Sequence, residues 1–114
     1  MRGKLSKAMP HSDLRSQYEA AVADLATAVA RQLASGATLE ETARWAVAQR
    51  DAIKRIYRQQ TPAAVLAFIE AKTTRRYGNP MGPSVDDLRA AGKSWQQIID
   101  SATRSGEHDF GDMA

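Results

Sequence analysis

The chain contains no cysteine, which excludes disulfides and thiolate-held metals and leaves the redox compartment open. Its apolar runs are short and broken by charge, so no segment is long enough to span a bilayer. The opening stretch MRGKLSKAMPHS is basic but lacks the apolar segment of a signal peptide. Alternation of period two long enough for a strand is missing as well. So are the phosphate-binding P-loop, the dinucleotide fingerprint, the HExxH helix and the calcium loop. The two histidines, His11 and His108, stand near opposite ends, and an acid–base pair between them requires those ends to fold together. Asp86 and Asp87 are adjacent carboxylates, but at a helix N-terminus the dipole accounts for them without a metal. Neither a metal nor a cofactor is expected.

What is present is helical. At 114 residues and 43% hydrophobic content, much of it alanine, the chain suits one domain of closely approaching helices. A first helix is expected from about Asp13 to Ala34. Leu14, Tyr18, Val22, Leu25, Val29 and Leu33 recur there at helical spacing, with Ser12 as cap and Gly36 as stop. Thr38 and Glu41 form a capping box for a second helix reaching about Arg58, with Leu39, Ala43, Ala46, Ile53 and Tyr57 as its core stripe. Thr61 as cap and Pro62 in the first turn start a third, with Val65, Leu66, Phe68, Ile69 and Thr73 on its apolar side. Gly78, Pro80, Gly82 and Pro83 then force a rigid turn. Ser84 with Asp87 caps a short fourth helix stopped by Gly92. Ser94 with Gln97 starts a fifth that buries Trp95, Ile98, Ile99 and Ala102 and stops at Gly106. The expected fold is all-α: a compact bundle of about five helices, two or three long and two short, with the Gly/Pro-rich turn between the third and fourth. Residues 1–11 read as a flexible basic arm or a cleavage remnant, 12–106 as the domain and 107–114 as a tail.

The net charge of +3 conceals an asymmetry. Residues 44–76 carry eight basic groups against Asp51 and Glu70, whereas 84–114 carry three against six acids. Arg50, Lys54 and Arg58 stack at steps of four on one side of the second helix, where like charges cost roughly a few tenths of a kcal/mol per pair. That ridge is either an ordinary solvated face or a surface that meets phosphates. Lys72, Arg75 and Arg76 fall in the last turn of the third helix, where cations also complement the dipole. Tyr77 reads as a half-buried ring with a wet hydroxyl. Residues 85–104 also have the rhythm of a helix-turn-helix, with Trp95, Gln96 and Gln97 where base-reading side chains belong.

The stretch YGNPMGPSVDDLRAAGKSWQQIIDSATRSG, preceded by ARWAVAQRDAIKRIYRQQTP, resembles a C-terminal module at the ends of long Rhs-type and haemagglutinin-type polymorphic toxins. That pattern has an Arg-Asn pair in the second helix, a Tyr-Gly-(Asn/Asp)-x-x-Gly-Pro turn, a Gly-Lys-Ser-x-x-x-Ile-Ile segment, and an Arg close to a Gly and an Asp. Here the positions are Arg50 and Asp51; Tyr77, Gly78, Asn79, Gly82 and Pro83; Gly92, Lys93, Ser94, Ile98 and Ile99; and Arg104, Gly106 and Asp109. The likeness covers roughly residues 36–110. Asp51 departs from the amide of the pattern, and His108 stands where a basic or small residue belongs, which argues against His108 as a required group.

The resemblance implies a toxic tip of a larger delivery protein, acting in the cytoplasm of a competing bacterium and neutralised by a dedicated, acidic immunity protein. Nuclease is the commonest activity of such tips and agrees with a basic surface, because phosphate contacts dominate nucleic-acid affinity. The reading is therefore an antibacterial nuclease, RNA favoured over DNA, without membrane insertion. Arg50, Lys54, Arg58, Arg75 and Arg76 are the expected phosphate ligands. Tyr77, Lys93, Arg104 and Asp109 are the expected catalytic group, with Arg104 for transition-state charge and Lys93 or Asp109 as proton carrier. On this reading Arg50→Ala weakens toxicity and leaves the fold intact. The alternatives are a helix-turn-helix-like DNA-binding module over 85–104, or a toxin whose target is not nucleic acid.

Overall fold

A computed structural model of the protein describes residues 11–104, with side chains from Asp13 onward. Gly106, His108, Asp109 and the expected tail lie outside the described residues, as does the expected arm apart from His11. The described chain is all-α, with five helices and no strand: α1 His11–Ala34, α2 Leu39–Gln59, α3 Ala63–Tyr77, α4 Val85–Ala90 and α5 Trp95–Ala102.

Local chemistry sets most boundaries. Three capping boxes start α2, α4 and α5: Thr38 with Glu41, Ser84 with Asp87, and Ser94 with Gln97, each side chain bonding the other residue's backbone N–H. Gly36 and Gly78 take positive φ (105° and 87°) just past the ends of α1 and α3, a conformation that glycine adopts without the Cβ penalty. Three expected boundaries differ. Helix α1 begins at His11, so Ser12 lies within it rather than at the cap. Pro62, not Thr61, is the N-cap of α3. The Thr61 hydroxyl instead donates back to the Tyr57 carbonyl at 2.8 Å, because a nearby helix-end carbonyl competes for it. Helix α5 stops at Ala102, four residues before Gly106.

Helix α2 is the centre of the bundle. On one side its Ala43 and Ala46, both fully buried, meet Leu25 and Val29 of α1 and Ile98, Ile99 and Ala102 of α5. Alanine at this seam removes side-chain bulk and lets both neighbours approach. On the other side Ile53 and Tyr57 join Tyr18 and Val22 of α1 and Val65 and Ile69 of α3. Tyr18 and Tyr57 meet edge to face, centroids 5.9 Å apart. Burying each large aliphatic chain contributes about 1.5–3 kcal/mol, so the ladder Leu14, Tyr18, Val22, Leu25, Val29 makes α1 the largest single contributor.

Two expected core positions stay outside. Leu39 remains 43% exposed and Phe68 45%. Leu39 is the first residue of α2, at the edge of the buried seam. Phe68 is adjacent to Ile69 and therefore about 100° round the helix from it, and α3 buries only the narrow stripe through Val65 and Ile69. Trp95 is half-buried, with the guanidinium groups of Arg89 and Arg44 lying 4.2 and 5.3 Å from its ring centroid. Arg44 also bonds Glu40 at 3.1 Å and reaches Asp86 at 3.5 Å, and the Glu40 hydrogen bond raises its pKa above the ordinary value. None of the described helices is long and apolar enough to cross a membrane.

Candidate functional site

The three cations of α2 do not form an open ridge. Arg50 is 6% exposed. Its Nε donates to the Tyr18 hydroxyl at 2.9 Å, and one terminal nitrogen donates to the carbonyls of Ala102 (2.8 Å), Arg104 (3.0 Å) and Ser101 (3.4 Å). The end of a helix leaves carbonyls without intrahelical partners, and Arg50 satisfies them at the end of α5. Four residues on, Lys54 Nζ donates to the Met81 carbonyl at 2.9 Å. Four further on, Arg58 donates to the Pro80 carbonyl at 2.7 Å and approaches Glu70 at 3.8 Å.

The ridge is thus a clasp. Its three positive charges hold two loops against α2, the 78–83 turn and the segment after α5, and carbonyl oxygens take the place of the expected phosphates. The turn is braced from within as well. The Asn79 side chain accepts from the backbone N–H of Met81 (2.8 Å) and Gly82 (3.0 Å) and donates to the Gly82 carbonyl. Gly82 has φ 104°, and a Cβ there would come within 3.5 Å of Lys54 Nζ.

Lys93 and Arg104 come together. They line one open groove of about 280 Å³ between α4 and α5, to which Leu88 and Ile98 contribute apolar surface and Gln97, Asp100 and Ser101 polar groups. Neither cation has a hydrogen bond or ion pair among the described residues, in contrast to the three on α2. Arg50 holds the Arg104 backbone carbonyl, so the buried clasp sets the edge of the groove. It also places a positive charge on the α5 C-terminal carbonyls, whose partial negative charge would otherwise repel an anion there.

Tyr77 is elsewhere. It ends α3, 40% exposed, with the Arg76 guanidinium 5.9 Å from its ring centroid, and it is not part of the groove. Arg75 and Arg76 are both exposed on the same last turn. Asp109 lies outside the described residues. Asp100 and Ser101 are groove residues that the sequence reading does not name, and Gln97 enters it only as a base-reading candidate. Gln97 and Ser101 are four apart on the face of α5 opposite its buried Ile99 and Ala102, and Arg104 follows two residues past the helix end.

The helix-turn-helix arrangement gains nothing from the geometry. Trp95 is occupied by two arginines, Gln97 Oε1 accepts from the Ser94 N–H at 2.8 Å, and Gln96 bonds Asp100 at 2.9 Å. No group of three or more His, Asp or Glu among the described residues is arranged to hold a metal ion. No family model, curated protein or solved structure matches the chain.

Proposed function

We propose that this chain is an antibacterial effector domain that cleaves nucleic acid, RNA in preference to DNA, at the groove between α4 and α5. The observation that carries the reading is that Lys93 and Arg104 line one groove as cations with no side-chain partner among the described residues, while Arg50, Lys54 and Arg58 are committed to backbone carbonyls. Two cations lining one open groove suit a phosphodiester, whose charge rises as the phosphorus gains its fifth ligand. Arg104 offers a planar donor set for the phosphoryl oxygens, and Lys93 is a proton carrier for the leaving oxygen. Asp100 adds a carboxylate at the groove that is suited to accept a proton. Both Lys93 and Arg104 fall on positions of the toxin-tip pattern, which supports the wider reading of a released end of a delivery protein, active in a target cell's cytoplasm and neutralised by an acidic immunity partner.

Inducible expression of the full chain in a bacterium tests this, with growth followed and total RNA and DNA run on a gel. Growth arrest with a discrete RNA cleavage pattern is expected, together with loss of both in Lys93→Ala and Arg104→Ala at unchanged helical content. Removing a donor aimed at transition-state charge typically lowers the rate about 10²–10³-fold. Arrest with both nucleic acids intact would keep the toxin and discard the nuclease. Healthy growth would discard both and favour a binding module.

A further inference from the structure

The face of α3 that turns away from the bundle is chemically unlike the rest of the surface. Phe68, Lys72 and Arg75 recur at steps of four and three, which puts them on one side of the helix. Phe68 is 45% exposed, and Lys72 Nζ lies 5.6 Å from its ring centroid. Of the neighbours one turn away, Ala64 and Ala71 are small and exposed, while Lys72 lies over part of the ring. Arg75 is exposed and has no ion pair among the described residues. Arg76 and Tyr77 continue the same chemistry round the helix end, cation over ring. The only acid of α3, Glu70, lies 3.8 Å from Arg58, and no other occurs from residue 71 to 85.

We infer that this face binds single-stranded nucleic acid, with Phe68 stacking a base while Arg75 and Arg76 hold phosphates. Charge alone would suit any polyanion, but the exposed ring decides among them. A base can stack on the part of the ring that Lys72 leaves exposed, whereas an acidic protein needs only the cations. An anionic membrane surface needs a broad apolar stripe, and the small residues around Phe68 do not make one. Single strands are preferred to duplexes because only unpaired bases are open to stacking. The inference shares the nucleic-acid class with the proposed function but requires no cleavage.

Fluorescence anisotropy with the full chain and a labelled, cleavage-resistant 2′-O-methyl RNA of about 12 nucleotides, matched to the usual span of a single-strand site, tests it. The unpaired strand is expected to bind more tightly than a duplex of equal length. Phe68→Ala should weaken binding about tenfold, as loss of one stacked base does. Arg75→Gln with Arg76→Gln should flatten the dependence of log affinity on log salt by about 1.4, two phosphates at about 0.7 each. All three positions are exposed, so circular dichroism should be unchanged. Unchanged affinity in Phe68→Ala, a preference for duplex, or equal competition by polyglutamate or by anionic vesicles would each overturn the inference. RNA that binds and is never cut by the wild-type chain would remove the nuclease and leave this face standing. RNA that is cut, with binding indifferent to Phe68, would do the reverse.

Discussion

Arg50 and Arg104 show how far residue type underdetermines role. Both are arginines at positions of the same resemblance, yet one is buried among four acceptors and the other lines a groove with no side-chain partner among the described residues. Truncating Arg50 leaves the Tyr18 hydroxyl short of a donor and orphans carbonyls at the α5 end. Arg50→Ala is therefore expected to cost about 3 kcal/mol, measured as a lowered urea midpoint, since bonds to a charged group contribute about 1.5–3 kcal/mol each and are not additive. Against total stabilities of about 5–15 kcal/mol for domains of this kind, that is a large share. This replaces the expectation from sequence that Arg50→Ala leaves the fold intact. Lys93→Ala and Arg104→Ala are expected to shift the same midpoint by less than about 0.5 kcal/mol, as exposed substitutions do.

Among the helices, α2 carries the organisation and its loops answer to it. The 78–83 turn is held by Lys54 and Arg58 from outside and by Asn79 from inside. Gly82→Ala forces a side chain into φ 104° beside Lys54, with an expected cost of about 1–3 kcal/mol in a thermal melt. Combined with Lys54→Ala the two costs should sum to less than their separate values, because residues in contact couple. Helix α5, only eight residues long, depends on its ends: the Ser94 box at one and Arg50 at the other. Ser94→Ala is expected to lower stability by about 1 kcal/mol and to reduce any cleavage activity further than that, since α5 carries Asp100 into the groove and leads directly into Arg104.

Taken together, the molecule divides its positive charge between two tasks. Part of it is turned inward to bind carbonyls, and part is left on the α3 face and in the α4–α5 groove. A net charge of +3 is therefore a poor guide to the surface offered to a partner. The salt dependence of nucleic-acid binding should be smaller than so basic a sequence suggests, because Arg50, Lys54 and Arg58 are held by backbone carbonyls. Removing Lys54 or Arg58 should alter stability without altering the slope of log affinity against log salt.

Much of the architecture was legible in the linear chain because its causes are local. The stripe from Leu14 to Val29, the three capping boxes, the glycines after α1 and α3 and the Gly/Pro turn act within a few residues of one another, so helix number, order and most boundaries follow from them. The pairing of Lys93 with Arg104 was half legible, through a shared motif and the spacing along α5. The fate of Arg50, Lys54 and Arg58 was not, because a cation at helical spacing looks the same whether it faces solvent, a phosphate or a carbonyl 22 to 54 residues away. Which of these it meets depends on where folding brings the ends of other helices. Phe68 and Leu39 misled for the same reason: an apolar residue is buried only if another element covers it, and covering is a property of the packed chain.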